Sequence, residues 1–172
     1  MSDARTMMIF DFSTEDQLRQ WMVVNDGVMG GVSRSSFKKA GQAGAVFSGE
    51  VSLENYGGFC SVSARIDKPV DASAFSGIAV RCKGDGNNYK LTLKNDQSFG
   101  GFAYQFRFAV SSDDWILIKA PFSEFKASFR GQPALDAPPL NPGVIQAIGF
   151  LISDKQAGAF ELEVESIQAY RE

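Results

Sequence analysis

The chain has 172 residues, 44% of them hydrophobic, a net charge of −3 and a sequence pI near 5.1. That length fits one domain, residues 1–172, able to bury roughly 70% of its unfolded surface without metal or disulfide staples. The acidic balance and the scatter of Lys and Arg count against nucleic acid and against a polybasic membrane anchor, and the absence of histidine excludes imidazole bases, His triads and imidazole metal sites.

The opening MSDARTMMIFDF has neither the apolar core of a signal peptide nor an Arg/Ser-rich leader, so the expected location is cytoplasmic. No apolar run is long enough for an integral membrane segment. Residues 8–12 read as a strand. Ser13-Thr14-Glu15-Asp16 then reads as a helix N-terminus, with acids where the helix dipole favours them, and a short helix ending near Trp21.

Next comes WMVVNDGVMGGVSRSSF, residues 21–37. Gly27, Gly30 and Gly31 have neither the spacing of a P-loop nor the strand–GxGxxG–helix context of a dinucleotide site. They precede a predicted strand from Val32 onward. The stretch reads as a bend in which glycine supplies positive φ or close backbone approach and Asn25 and Asp26 fix the turn by hydrogen bonds. Whether that loop also faces a partner stays open.

Strand patterns dominate the rest. Phe47, Gly49, Val51 and Leu53 share one face, opposite Ser48, Glu50 and Ser52. Asn55-Tyr56-Gly57-Gly58 makes a turn into a strand over 59–66. Residues 77–83 and 89–94 flank Gly84-Asp85-Gly86-Asn87, a hairpin turn signal. Phe102, Tyr104, Phe106, Phe108 and Val110 alternate with Ala103, Gln105, Arg107 and Ala109, a strong period of two. A strand over 115–120 closes at Pro121, the Pro-rich 131–143 reads as a surface loop, and 144–152 and 160–167 are closing strands. So many short strands, with one short N-terminal helix and no βαβ alternation, predict an all-β fold: an antiparallel β-sandwich of jelly-roll type.

Cys60 and Cys82 fall on apolar registers with no CxxC spacing, and are expected as buried free thiols. The pairs Glu50/Glu54 and Glu161/Glu163 are candidate glycosidase carboxylates, which retaining enzymes hold about 5 Å apart across a cleft; solvated strand faces are the better reading. Calcium through Asp11, Asp26 or Asp154 finds no recognisable ligand spacing, and no metal or cofactor is expected. Trp21, Tyr56, Tyr89, Tyr104 and Trp115 are candidate stacking platforms for a sugar, although most sit in apolar register. Arg81, Lys90, Gln105 and Arg107 lie on the polar register of three strands that look adjacent and are candidate groove residues, with a plain solvated face as the alternative.

WMVVNDGVMGGVSRSSF followed by FSGEVSLENYGGFCSVSAR resembles the signature of the complex I intermediate-associated protein family, as do CKGDGNNYKLTLKND, APFSEFKASFRG and IGFLISDKQAGAFELEVESIQAY. The similarity runs from about residue 9 to 170, in order. Asn25, Asp26, Gly27, Met29, Gly30, Gly31 and Ser33 match that signature, together with Gly57, Gly58, Phe59 and Ser61. The resemblance implies a galactose-binding-like jelly roll and no catalytic role at these positions. Family members include a mitochondrial assembly factor for respiratory NADH:ubiquinone oxidoreductase, so the resemblance implies a non-enzymatic module whose partners are protein subunits of a membrane or respiratory complex. The alternative is a carbohydrate-binding module. Expected binding residues are Trp21, Asn25, Asp26, Arg81, Lys90, Gln105 and Arg107, and Gly27, Met29, Gly30, Gly31, Ser33, Gly57 and Gly58 are expected to build the loop.

Overall fold

The computed structural model describes residues 5–41, 44–54, 58–96, 101–111, 114–129 and 132–172, with Val28 and Met29 described for their backbone alone. Two antiparallel sheets face each other. The first contains β1 (Thr6–Phe10), β3 (Arg34–Lys39), β4 (Ala45–Val51), β6 (Gly77–Lys83), β9 (Ile116–Pro121) and β13 (Gly158–Tyr170). Its order is β3-β4-β13-β6-β9, and β1 pairs with the far half of β13 beyond the end of β4. The 13 residues of β13 make it long enough to be the spine of that sheet.

The second sheet runs β11-β10-β8-β7-β12-β5-β2. Its strands are β2 (Trp21–Asn25), β5 (Cys60–Val70), β7 (Asn88–Lys94), β8 (Ala103–Ala109), β10 (Lys126–Phe129), β11 (Gln132–Pro133) and β12 (Ile145–Ile152). The period of two in each strand puts its apolar residues between the sheets. The phenylalanines stack there: rings run in contact from Phe10 and Phe12 through Trp21, Phe150, Phe108, Tyr89 and Phe160 to Phe47, with centroids 4.9 to 6.4 Å apart.

The helix α1 (Glu15–Arg19) is capped by the Thr14 side chain. Its Gln17 side chain accepts from the backbone N–H of Asp11 and Phe12 and donates to Asp11 Oδ1 at 2.8 Å. Those bonds hold Phe12 at φ 56, a left-handed conformation unfavourable for an aromatic residue, with its ring fully buried.

Three features add to or change the expectations. The helix ends at Arg19, near Trp21 as expected, and Trp21 then opens β2 and packs against Phe10, Phe12, Phe37 and Phe150. The 84–87 segment is not a hairpin turn, because β6 pairs with β13 and β9 while β7 pairs with β12 and β8. It crosses from one sheet to the other, held by the Asp85 carboxylate, which accepts from Asn87 N–H, the buried Tyr89 hydroxyl and Glu161 N–H. The third is the Pro-rich stretch, which contains β11 and is pinned to the sheet by the Tyr104 hydroxyl on Pro138 C=O at 2.6 Å.

Candidate functional site

The bend after β2 is organised around one carboxylate. Asn25 leads into a 3₁₀ turn, Asp26–Met29, which Gly30 terminates at φ 90. Asp26 is fully buried. Its Oδ1 accepts from Ser33 N–H at 2.9 Å, and its Oδ2 accepts from the Ser33 hydroxyl, from Gly58 N–H at 2.6 Å and from Phe59 N–H at 3.3 Å. The Ser33 hydroxyl accepts in turn from Ser52 N–H at 2.8 Å. Burial pushes the Asp26 carboxyl up, but the donors on it outweigh that and hold it below the ordinary value.

Gly31 has a definite reason. A Cβ there would lie 2.4 Å from Asp26 Cγ, so only glycine lets the chain pass this close to the carboxylate. A Cβ at Gly27 would meet nothing within 4 Å. Gly58, at φ 132, brings the second glycine stretch onto Asp26. Asn25 Oδ1 accepts from the Ser35 hydroxyl at 2.7 Å, inside the same bend. Gly57 and Tyr56 fall outside the described residues, as does the Met29 side chain. The arrangement ties β2, β3, β4 and β5 together through one buried carboxylate.

Four candidate groove residues divide between two surfaces. Arg81 stands on the outer face of the first sheet and is paired with Glu165 at 2.7 Å. Lys90, Gln105 and Arg107 stand on the outer face of the second sheet. Cross-strand pairing puts Lys90 opposite Arg107, and lines up Ser63, Gly149, Thr92, Gln105 and Lys126 in a row across five strands. The separation of Arg81 follows from the crossover at 84–87. Of these three strands, consecutive in sequence, β7 and β8 are neighbours while β6 lies in the other sheet.

Lys90, Gln105, Arg107, Glu124, Lys126 and Pro133 line a groove of about 460 Å³ over β7, β8 and β10. The Asp154 carboxylate pairs with two of these cations, 3.3 Å from Arg107 and 3.6 Å from Lys90. Asp154 and Lys155 both hold left-handed conformations, φ 63 and 60, in the connection between β12 and β13. Sequence reasoning missed Lys126, because the short polar β10 gives no strand signal. It missed Asp154 as a groove residue because the contact comes from a loop far along the chain.

Other chemistry finds little support in the geometry. Burial raises the Cys60 thiol to about 11 and the Cys82 thiol to about 12, so neither is a thiolate near neutral pH. Glu50 and Glu54 are exposed beside Arg34 in a shallow hollow, with no water-excluding cleft around them. No group of three potential metal-ligating side chains occurs among the described residues. Of the stacking candidates, Trp21, Tyr89 and Tyr104 are buried in the core, and Trp115 is half-buried with the Lys83 ammonium over its ring at 5.2 Å.

Comparison with known proteins gives two results. Among solved structures, a family 11 carbohydrate-binding module of the Clostridium thermocellum cellulase Lic26A-Cel5E superposes with a TM-score of 0.76 at 18% identity, covering 99% of this chain and 97% of that one. The same family's module in complex with a mixed-linked tetrasaccharide gives 0.73. At such identity the likeness shows the jelly-roll fold alone. Among sequences, the mouse protein "Complex I intermediate-associated protein 30, mitochondrial" is 28% identical over 99% of this chain and 57% of its own length. Its Drosophila melanogaster namesake is 24% identical over 94% of this chain and 62% of its own. The chain therefore spans somewhat more than half of these relatives. An uncharacterized Schizosaccharomyces pombe protein is 30% identical over 88% of this chain and 78% of its own length. The family model for complex I intermediate-associated protein 30 matches residues 10–164, from the end of β1 well into β13 and across both glycine stretches at Asp26, so the chain belongs to that family.

Proposed function

We propose that this chain is a non-enzymatic protein-binding module that assists the assembly or stability of a multisubunit complex, of the kind represented by respiratory complex I. The observation that carries the reading is the family match, which covers residues 10–164 and so includes nearly every element of both sheets. The absence of histidine, the two buried thiols and the exposure of Glu50 and Glu54 favour binding over chemistry among the described residues. The carbohydrate reading shares the fold, but of the rings it would stack a sugar on, Trp21, Tyr89 and Tyr104 are in the core, while Trp115 is half-buried. Deleting the gene in its native host and resolving membrane complexes on native gels tests the proposal. The expected result is less of one intact multisubunit complex, with partial assemblies accumulating and reintroduction of the gene restoring it. Normal amounts of every complex in the deletion strain would overturn it.

A further inference from the structure

The outward strand positions of the second sheet carry Arg65, Lys90, Lys94, Arg107 and Lys126, on a chain whose net charge is −3. The outer face of the first sheet is different: it interleaves Arg34 and Lys83 with Glu50 and Glu163, in directly opposed pairs. Cations therefore predominate at the strand positions of the second face, offset by Asp154 beside Lys90 and Arg107 and by Asp96 near Lys94. Within the groove, Lys126 makes no ion pair among the described residues, while Lys90 and Arg107 share the single carboxylate of Asp154.

A second surface adjoins the groove. Phe102 and Phe129, rings 5.9 Å apart, form with Leu135 an apolar hollow of about 410 Å³, and Leu135 is 94% exposed. Pro133 of β11 lines both the groove and this hollow. Lys126 and Phe129 are three residues apart on β10, an odd spacing that sends their side chains to opposite sides of the sheet. A flat anionic bilayer therefore cannot reach the cations and the rings together. An extended chain can turn round the two-residue edge strand β11 and meet both.

Resting on the protein-binding reading above, we propose that this groove holds the carboxylates of an extended acidic segment of a protein partner, with an adjoining apolar residue of that segment seated against Phe102, Phe129 and Leu135. Asp154 is the built-in competitor. It keeps Lys90 and Arg107 oriented in the free protein and yields them to the partner's carboxylates, so that removing its charge strengthens binding.

The test is fluorescence anisotropy with a labelled peptide of six glutamates followed by two leucines, on the full chain at low salt. The expected result is saturable binding that weakens as salt rises. Lys126→Glu should weaken it by about tenfold and Asp154→Asn should tighten it by about threefold. Leu135→Ser should weaken it with the salt dependence unchanged. Asn is tolerated in the left-handed conformation of Asp154, and residues 126 and 135 are exposed, so these variants keep the fold. Absence of binding, or equal binding by wild type and Lys126→Glu, would overturn the proposal. So would binding to phosphatidylserine vesicles or to polygalacturonate in place of the peptide. In the deletion strain, full rescue of complex assembly by Lys126→Glu would sink the groove and leave the assembly reading standing. Absence of any assembly defect would sink that reading whatever the peptide does.

Discussion

Asp26 is wholly buried, and the groups that meet its carboxylate in hydrogen bonds are neutral backbone and hydroxyl donors. Its folded-state pKa lies below the usual 3.8, so folding favours the ionised form. The stability this contributes is complete above the unfolded value and is lost as pH falls through the folded one. Asp26→Asn keeps the shape but turns one acceptor oxygen into a donor that faces other donors. The expected cost at pH 7 is about 2 kcal/mol by urea denaturation, shrinking as pH is lowered below about 4. A cost that stayed constant with pH would show that the charge of Asp26 is not what matters. The sequence marked Asn-Asp-Gly as a turn that its own side chains would fix. The resemblance also put Gly57 and Gly58 in this loop, and Gly58 and Phe59, 32 and 33 residues away, do donate to Asp26; what it did not reveal is that Asp26 is fully buried.

At the scale of elements, the strongest alternating pattern, Phe102 to Val110, is where reading and structure agree most closely. Its odd and even positions differ in polarity along the whole of β8. Short strands were harder to read. β10 carries only four residues and β11 two, one of them proline, too few for a period to show. Partner choice was the least legible feature. Gly84-Asp85-Gly86-Asn87 has the composition of a hairpin turn, yet β6 and β7 bury their apolar faces from opposite sheets, and their neighbours come from distant parts of the chain. Asp85 is what ties this crossing together, since it takes the Tyr89 hydroxyl and the first residues of β13 onto one carboxylate. Asp85→Ala leaves that buried hydroxyl without its acceptor and should cost about 1 to 2 kcal/mol in thermal or urea unfolding. Arg81→Ala, which breaks only the half-exposed pair with Glu165, should cost less than about 0.5 kcal/mol. Equal losses in the two variants would contradict the role given to the crossover.

For the whole molecule, many of the described aromatic residues join one continuous core. The proposed recognition therefore draws on charge and on the hollow near β11. Fold class was open to sequence reasoning because the period of two recurs along the whole chain. The groove was only half visible: Lys90, Gln105 and Arg107 stood out as polar residues on alternating strands, while Lys126 and Asp154 join them only in three dimensions. In the proposed function this chain works by holding protein subunits. Quantitative mass spectrometry of proteins captured with the tagged chain from its native host, measured against a tagged control, tests that claim directly. The account predicts enrichment of the subunits of one multisubunit membrane enzyme, reduced when Lys126→Glu is the bait; capture of no protein above the control would contradict it.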